Sequence, residues 1–386
     1  MRKKLGRSLF PIRVRVPGTS YPIFIREGLL AETGGILQKL VSQRKIFILA
    51  DATVWRLWGK KLLQSLDAPR TPVILVPSGE RYKRMATVEK IAQQLSAQDA
   101  ERSSLLIAFG GGVTGDIGGF VASIFLRGIE YVHIPTTLLA QVDSSIGGKT
   151  GVNLTAGKNL VGTFCQPRMV LTDPLLLRTL PRRELRAGLF EALKCAVIGD
   201  PKLFELLIAK RSRILSGEPS ALLPVIRACA ALKSRVVSLD EKEGGLRRIL
   251  NFGHTIGHAL EAATRYRRFL HGEAIAWGML AATQLAVQAG QLASSTGDRI
   301  CSLIVSYGPV PSLGRIDLAA VCRHLSADKK VRRGVVHFVL PRRIGAVRIV
   351  SGISEKQVLS VLKNLLATDP FGRLARRQSR SRAGKQ

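Results

Sequence analysis

A chain of 386 residues with 46% apolar content is long enough for two domains with sizeable cores. No stretch approaches the roughly 18 apolar residues of a membrane span, and five scattered cysteines without a C-x-x-C motif indicate reduced thiols of a cytoplasmic protein. The formal net charge of +32 suits an anionic substrate or non-specific nucleic-acid contact, and charge alone does not choose between them.

The first 180 residues alternate short β-type runs with amphipathic helical stretches. Strands are predicted at residues 21–26, 45–50, 72–76, 104–109, 131–134 and 169–172, and helices at residues 54–66 and 85–98. Strands that alternate with helices of this length are typical of βαβ units and a mainly parallel sheet. We therefore predict an α/β domain over residues 1–180.

The β-type signal nearly disappears from residue 181 onward. Helices are predicted at residues 184–197, 201–215, 221–239, 255–264, 273–289, 297–307 and 354–366, and a late β-like pair at residues 335–340 and 346–350. This pattern predicts a helical second domain over residues 181–366. The last residues, 367–386, are rich in arginine and serine, which predicts a basic, disordered tail.

A glycine-rich turn follows the predicted strand at 104–109. Gly110, Gly112 and Gly115 form a G-x-G-x-x-G pattern with a predicted helix directly behind it. Glycines at these positions let the backbone approach a pyrophosphate, whose charge is met by the helix N-terminus. The pattern favours a dinucleotide site over a merely tight turn. Glu130 begins a strand, so Asp51, at the end of its strand, is the better candidate for the ribose hydroxyls.

Two further polar stretches of the first half carry candidate binding residues. The segment from Ser78 to Lys83 follows a strand and could close over the cofactor, or it could be an ordinary polar turn. The Gly-rich stretch after residue 134 could instead be a surface loop, but six of its polar side chains could also point into one cleft. Lysines on such loops suit a phosphate or carboxylate. The six residues are Thr136, Thr137, Asp143, Lys149, Lys158 and Asn159.

Three of the six histidines fall within a short stretch of the second half. His254 and His258 share one helical face, and His271 opens the next helix after a basic turn. With Glu261 and Glu273 nearby, these residues favour a catalytic metal site with three N/O ligands over ordinary polar helix positions.

Glu191 and Lys194 lie three residues apart on an apolar helix. A surface ion pair is the plain interpretation of that spacing. Because this helix is apolar and the three-histidine site has no carboxylate ligand, Glu191 is also a plausible third metal ligand. Lys233, Arg247 and Asn251 lead into the cluster along the chain.

Taken together, these motifs resemble the 3-dehydroquinate synthases of the sugar-phosphate cyclase family, from residue 46 to residue 340. The resemblance is carried by the segments G-G-G-V-x-G-D, P-T-T-L-L-A-Q-V-D-S-S-x-G-G-K-T-G-V-N, G-K-N-L-x-G and N-x-G-H-T-x-G-H-A-x-E. It implies an N-terminal Rossmann-like domain, a C-terminal all-α metal-binding domain, and a homodimer without a membrane or nucleic-acid partner.

The family reaction closes 3-deoxy-D-arabino-heptulosonate 7-phosphate to 3-dehydroquinate with loss of phosphate. The resemblance implies a carbon–oxygen lyase of the shikimate pathway, with catalytic NAD+ and one divalent metal, zinc or cobalt. The substrate is a phosphorylated, carboxylated sugar acid. It is oxidised transiently, loses phosphate by β-elimination, is reduced again, and closes by an intramolecular aldol step.

The resemblance places the metal ligands at Glu191, His254 and His271, and it moves His258 to the substrate side. Arg127 would reach the substrate across the dimer. The residues expected around the substrate are Arg127, Lys149, Asn159, Lys194, Lys233, Arg247, Asn251, His258 and one of Lys329 and Lys330. The residues assigned to cofactor binding are Asp51, Ser78, Gly79, Glu80, Arg81, Tyr82, Lys83, Gly111, Gly112, Val113, Thr114, Gly115, Asp116, Thr136, Thr137, Asp143, Ser144, Lys149, Lys158, Leu176, Leu177, Arg178 and Thr179.

The chain departs from the family pattern around the proposed ligand Glu191. It reads F-E-A-L-K-C where A-E-V-I-K-Y is common, and Thr114 replaces an aliphatic residue. Phe190 and Cys195 should repack the helix without moving Glu191.

Three other functions remain as alternatives. One is a cyclase for an uncarboxylated sugar phosphate, such as a scyllo-inosose or valiolone synthase, and another is an NAD-dependent polyol dehydrogenase that contains a metal. The third, a nucleic-acid-binding protein, lacks any clear recognition motif.

Overall fold

The computed structural model describes residues 10–41, 44–331 and 336–372. These residues form two compact units. The first consists of the described parts of Met1–Pro181 together with Gly217–Glu241, and the second of Arg182–Ser216 together with the described parts of Lys242–Gln386. None of the helices in the described segments combines the length and apolarity needed to cross a membrane.

Strands and helices alternate in the first half of the chain, and helices dominate the second. The strands are β1 Ile12–Val16, β2 Thr19–Ile25, β3 Ile46–Asp51, β4 Val73–Val76, β5 Leu105–Gly110, β6 Glu130–Pro135, β7 Lys149–Leu154, β8 Gly157–Phe164, β9 Val170–Thr172, β10 Phe338–Arg343 and β11 Ala346–Val350. The helices are α1 Thr33–Val41, α2 Ala52–Leu66, α3 Met85–Ala97, α4 Gly112–Ile124, α5 Arg182–Gly199, α6 Pro201–Ala209, α7 Arg211–Leu215, α8 Pro219–Leu239, α9 His254–Ala263, α10 His271–Gln288, α11 Ser294–Ser306, α12 Leu318–Val331 and α13 Glu355–Thr368.

The first unit is built on a seven-stranded sheet in the order β1-β2-β9-β6-β5-β3-β4. All of its pairings are parallel except that of β1 with β2. Alternate residues of β3 enter two separate cores: Phe47 and Leu49 pack with α3 and α4, whereas Ile48 and Ala50 pack with α1 and α2. Helices therefore cover both faces of a mainly parallel sheet, which confirms the predicted Rossmann-like α/β class.

The glycine-rich stretch after residue 148 forms an antiparallel hairpin of β7 and β8, where the sequence suggested loops. Gly151 and Gly162 face each other across the two strands. A Cβ atom at Gly151 would lie 2.4 Å from the Val161 carbonyl oxygen, so the two backbones meet where side chains are absent. The low β-propensity of these glycines hides the strands from a sequence-based prediction.

Helix α8 belongs to the first unit, although the sequence placed everything after residue 180 in the second domain. It packs against β1, β2 and the turns Ala140–Ser144 and Pro174–Thr179, all of the first unit. Ser238 Oγ accepts a hydrogen bond of 2.9 Å from the Arg15 amide, and Arg227 donates one of 3.2 Å to the Ile25 carbonyl. The helix thus packs against the β1–β2 end of the sheet. Helical periodicity alone cannot reveal which core a helix joins.

The second unit consists of helices with one small hairpin, β10–β11. Its close packing depends on glycines: a Cβ atom at Gly272 of α10 would lie 1.9 Å from the Ala187 carbonyl oxygen of α5. A Cβ atom at Gly278 would lie equally close to the Gly253 carbonyl oxygen, directly before α9. Backbones of α5, α9 and α10 are therefore nearly in contact.

Three details of the second half differ from the predicted elements. The single helix predicted over 201–215 is split into α6 and α7 at Lys210, whose backbone is not helical. Helix α12 was not predicted, and α13 extends to Thr368, two residues beyond its predicted end. Most of the predicted tail lies outside the described residues.

Candidate active site

The glycine turn lies at the carboxyl end of β5 in the first unit. Gly111 is the N-cap of α4 and supplies no side-chain hydrogen bond to its first turn. A Cβ atom at Gly111 would lie 2.8 Å from Thr137 Cγ2, and one at Gly112 would lie 2.8 Å from Ser144 Oγ. Thr137 and Ser144 therefore pack closely against the turn. The uncapped first-turn amides of α4 remain able to bind an anion.

Asp51 lies at the carboxyl end of β3 and caps α2. Its Oδ1 atom accepts hydrogen bonds of 2.8 Å and 3.1 Å from the amides of Thr53 and Val54, and one of 2.7 Å from Ser78 Oγ. Among the described residues, every hydrogen bond to this carboxylate uses Oδ1. Oδ2 could therefore accept a hydrogen bond from a ribose hydroxyl, as the sequence predicts for Asp51.

The predicted loop of Ser78–Lys83 is tied to the β7–β8 hairpin through Lys83. The Lys83 ammonium group forms an ion pair with Asp116 on α4 and donates a hydrogen bond to Asn159 Oδ1. Burial acts to lower the pKa of Lys83, but Asp116 and Glu80 outweigh it and raise the pKa. Burial raises the pKa of Asp116, against the opposing effect of Lys83. The structure thus brings Asp116 and Asn159 together around the buried ammonium group of Lys83.

A second buried cation of the first unit is Lys233 on α8. Its Nζ atom donates hydrogen bonds of 2.7 Å to Asp143 Oδ1 and 2.8 Å to the Asp143 carbonyl oxygen. Asp143 and Ser144 lie on a single π-helical turn, Ala140–Ser144. Such turns are frequent at functional sites. The side-chain oxygens of Thr136 and Ser144 nearby are buried and have no hydrogen-bond partner among the described residues.

The remaining predicted residues of the first unit differ in their surroundings. Lys149 begins β7 with an exposed side chain, and Arg127 is exposed, with a backbone φ of 65°. Thr179 accepts a hydrogen bond of 2.9 Å from the Trp58 ring nitrogen. Leu176 instead packs in the sheet core, so it could reach a cofactor only through its backbone.

The metal-ligand candidates of the second unit converge on a buried carboxylate. Glu191 Oε1 lies 3.8 Å from His254 Nε2 and 3.6 Å from His271 Nε2. This oxygen is buried and has no hydrogen-bond partner among the described residues, while Oε2 forms an ion pair with Lys194. The three residues come from α5, α9 and α10, whose close approach through Gly272 and Gly278 brings them together.

The two imidazole rings are held by their other nitrogens. His254 Nδ1 lies 3.2 Å from the Phe252 carbonyl oxygen, and His271 Nδ1 lies 3.1 Å from Glu261 Oε2. An acceptor at Nδ1 fixes the tautomer in which Nε2 carries the lone pair and can coordinate a metal. Glu261 is buried and belongs to the same helix as His254.

His258 is more exposed, and its ring centroid lies 5.2 Å from that of His254 and 5.7 Å from that of His271. Ligand atoms of the three histidines all lie within 4.8 Å of one another. The geometry therefore allows two ligand sets, one with Glu191 and one with His258. Burial lowers the pKa of His254 well below its usual value, and Lys194 and the neighbouring histidines lower it further.

Two family models together match most of the chain. The model for the 3-dehydroquinate synthase N-terminal region matches residues 73–187, and the model for the C-terminal region matches residues 188–331. The chain belongs to the 3-dehydroquinate synthase family. A 3-dehydroquinate synthase of Solibacter usitatus is 46% identical over 354 residues, which cover 92% of this chain and 99% of the relative.

Solved structures of sugar-phosphate cyclases share the fold. A 2-epi-5-epi-valiolone synthase of Streptomyces hygroscopicus, with NAD+ and Zn2+ bound, superposes with a TM-score of 0.83 at 31% identity, covering 92% of this chain and 98% of that one. A 2-deoxy-scyllo-inosose synthase complexed with carbaglucose-6-phosphate, NAD+ and Co2+ gives 0.81 at 26% identity, covering 92% and 99%. The chain has the Rossmann-like and helical units that 3-dehydroquinate synthases are expected to have.

A buried cation precedes the histidine cluster along the chain. Arg247 is buried on a short 3-10 helix, Leu246–Asn251, and Asn251 donates a hydrogen bond of 2.6 Å to Glu243. The side chains of Lys329 and Lys330 lie outside the described residues. Glu273, which the sequence grouped with the metal candidates, instead binds Arg183 through two hydrogen bonds of 2.7 Å and caps α10.

His133, which the sequence motifs did not indicate, lies in β6 against Gly115 of the glycine turn. A Cβ atom at Gly115 would lie 2.1 Å from His133 Cε1. Burial lowers the pKa of His133 to about 4, opposed by a hydrogen bond to the Gly110 backbone. A lone histidine inside an apolar strand run was the available signal.

Proposed function

We propose that this chain closes 3-deoxy-D-arabino-heptulosonate 7-phosphate to 3-dehydroquinate with release of phosphate. The observation that carries the proposal is the convergence of Glu191, His254 and His271 in a chain that also contains an NAD-type glycine turn. The identity of 46% to a 3-dehydroquinate synthase, against 31% to a valiolone synthase, supports this substrate over the uncarboxylated ones.

The first unit fits NAD+ because its glycine turn forms a cradle that a Cβ atom would fill. The first-turn amides of α4 would bind the pyrophosphate, and Asp51 would bind a ribose hydroxyl. Lys83 and Asp116 form an ion pair, so together they would not add a net charge to the cofactor site. When bound, NAD+ supplies a reversible hydride acceptor for one substrate hydroxyl.

The second unit fits a divalent metal because Glu191 Oε1 is a buried, unpartnered oxygen facing two imidazole nitrogens. Ligands about 2.0–2.2 Å from a tetrahedral metal lie roughly 3.4 Å apart, which is close to the observed separations. A bound zinc or cobalt ion supplies Lewis-acid stabilisation of a substrate alkoxide. We take Glu191, His254 and His271 as the ligands and place His258 beside the substrate.

We propose that buried cations of each unit bind the anionic groups of the substrate. Arg247 has the planar donor set that binds a carboxylate through two hydrogen bonds, and Lys233 is held by Asp143. The other residues that we propose to contact the substrate are Lys149, Lys194, Asn159, Asn251, Arg127 and one of Lys329 and Lys330. The five cysteines form no disulfide, which agrees with activity in the cytoplasm.

We further infer that a second copy of the chain covers an apolar surface of the first unit. Leu160 and Phe164 of β8 are 58% and 46% exposed, and Leu126 is 41% exposed. A hydrogen bond of 2.7 Å from Thr163 to Ser123 holds β8 beside the end of α4, which leads to Leu126 and Arg127. Light scattering should find a dimer, which Phe164→Glu converts to monomer and Leu239→Glu leaves intact.

A cyclase for an uncarboxylated sugar phosphate is the second candidate, since two solved structures of that kind share the fold. The deciding assay follows phosphate release from the heptulosonate phosphate with and without NAD+ and EDTA. Activity should need both NAD+ and metal, and NADH should not accumulate. Stoichiometric NADH would instead indicate a polyol dehydrogenase.

Arg247→Lys separates the two cyclases. Losing one charge-assisted contact costs about 1.5–3 kcal/mol, so kcat/KM should fall roughly 10- to 100-fold while NAD+ affinity stays unchanged. Arg248→Lys, on the same turn, is the matched control. An unchanged kcat/KM in Arg247→Lys would favour the uncarboxylated substrate.

Metal content tests the ligand set. His271→Ala and Glu191→Gln should lose bound metal, whereas His258→Ala and the exposed His324→Ala should keep it. Retention in Glu191→Gln together with loss in His258→Ala would assign the site to the three histidines instead.

A further inference from the structure

Three aromatic rings from distant parts of the chain meet in the second unit. Phe190 lies on α5, Trp277 on α10, and Phe371 just beyond α13, and all three are at most 1% exposed. The centroid of the Phe371 ring lies 4.9 Å from that of Trp277 and 6.3 Å from that of Phe190, and both pairs are edge-to-face. Pairs of this geometry stabilise the packing beyond the burial of their area.

The segment after α13 is shaped to deliver Phe371 to this position. Asp369 adopts a left-handed conformation, with a φ of 37°, and ends α13 through a hydrogen bond from its amide to the Leu365 carbonyl. Its carboxylate then accepts a hydrogen bond of 3.2 Å from the Gly372 amide. The loop at Gly308 covers the ring, because a Cβ atom there would lie 2.8 Å from Phe371 Cδ1.

The two helices that Phe371 joins are the ones that carry metal-ligand candidates. Phe190 directly precedes Glu191, and Trp277 lies on the helix that begins with His271. Near the ligands, α5 and α10 already meet at Ala187 and Gly272. Phe371 provides a second point of contact, so the two helices are fixed at two levels.

We propose that Phe371 is a positioning residue for the metal centre. By packing against Phe190 and Trp277, it fixes the spacing of α5 and α10, and thereby the 3.6 Å separation of Glu191 Oε1 and His271 Nε2. Close-packed interiors transmit such displacements, because a lost ring leaves a space that neighbouring helices relax into. The proposal rests on the metal site of the proposed function.

Phe190 is one of the positions at which this chain departs from the common A-E-V-I-K-Y pattern. An alanine there would have no ring to meet that of Phe371 edge-to-face.

The test compares Co2+ affinity with stability in metal-free protein. Phe371→Ala should weaken Co2+ binding by about tenfold or more, the loss typical of residues that orient a ligand. Phe371→Leu, which keeps most of the volume, should bind within about threefold of the wild type. Chains ending at Thr368 and at Gly372 form a second pair, of which only the shorter should lose affinity.

Phe204→Ala is the matched control, because Phe204 is equally buried on α6, which carries no ligand candidate. It should lower the melting temperature of metal-free protein as much as Phe371→Ala does and leave Co2+ affinity and the Co2+ absorption spectrum unchanged. Equal Co2+ affinity in wild type and Phe371→Ala, or equal losses in Phe371→Ala and Phe204→Ala, would overturn the proposal. A wild type that binds no Co2+ would overturn the proposed function together with it.

Discussion

In the first unit the glycine turn leaves room for a ligand because its glycines have no side chains. In the second unit the metal centre is instead formed by closely packed side chains. Gly111, Gly112 and Gly115 bring α4 amides close to a prospective ligand, and the buried Lys83 is already paired with Asp116. Glu191 is paired with Lys194 on one oxygen and unpartnered on the other. The glycine turn of the first unit is therefore a preformed binding surface, whereas the site in the second unit is completed only when a cation binds.

The largest expected effect tests whether the first unit depends on backbone approach. Gly115→Ala would place a methyl group 2.1 Å from His133 Cε1. Overpacking of this kind costs about 3 kcal/mol at its upper end, and NAD+ binding should be lost with it. Urea unfolding and a fluorescence titration with NAD+ would measure both.

Gly35→Ala is the control for that change, because a Cβ atom at Gly35 in α1 meets nothing within 4 Å. It should raise the free energy of unfolding by about 0.5–1 kcal/mol. Normal NAD+ affinity in Gly115→Ala would show that backbone approach does not shape the first unit's site.

A smaller effect is expected at Glu261, whose carboxylate lies against His271 Nδ1. Glu261→Leu removes the acceptor for His271 Nδ1 and should weaken Zn2+ binding on the order of 100-fold, about 2.7 kcal/mol. Glu261→Gln, which keeps an acceptor oxygen, should lose only about tenfold. Competition with a chromophoric chelator measures both variants. Equal affinities in the two variants would mean that the ring of His271 is held by packing alone.

The smallest effect concerns the buried histidine under the glycine turn. Because folded His133 stays neutral down to about pH 4, whereas the unfolded chain takes up a proton below about pH 6.5, its presence destabilises the fold as pH falls through that window. The wild type should lose about 2 kcal/mol more than His133→Gln between pH 7 and pH 5. Parallel urea titrations at the two pH values would measure it, and identical pH dependence would contradict the buried, neutral state.

Local sequence signals predicted the glycine turn better than the metal centre. The strand, the glycines and the following helix of Gly110–Gly115 are contiguous, so their arrangement is written in one stretch of sequence. The choice of Glu191, His254 and His271 over His258 as proposed ligands rests on a resemblance, because no local rule brings α5 beside α9 and α10. The role of Leu176 as a core residue depends on packing that spacing cannot reveal.

Long-range contacts account for the elements that the sequence did not predict. The β7–β8 strands are held by backbone pairing between glycines, which leave no hydrophobic alternation. The sequence pattern of helix α8 is like that of the neighbouring helices, and its long-range contacts, among them those with β1, β2 and Asp143, assign it to the first unit. Phe371 is a single aromatic residue in a polar stretch, and its partners lie far away in sequence.

The assignment of α8 to the first unit has a consequence for how the chain is made. The polypeptide leaves that unit after Pro181, returns at Gly217 and leaves again after Glu241. A ribosome that has released only the first half of the chain exposes an Asp143 without Lys233 and a sheet end without its covering helix. The nucleotide-binding portion is thus not a detachable module: its completion during synthesis waits for part of the helical portion to emerge.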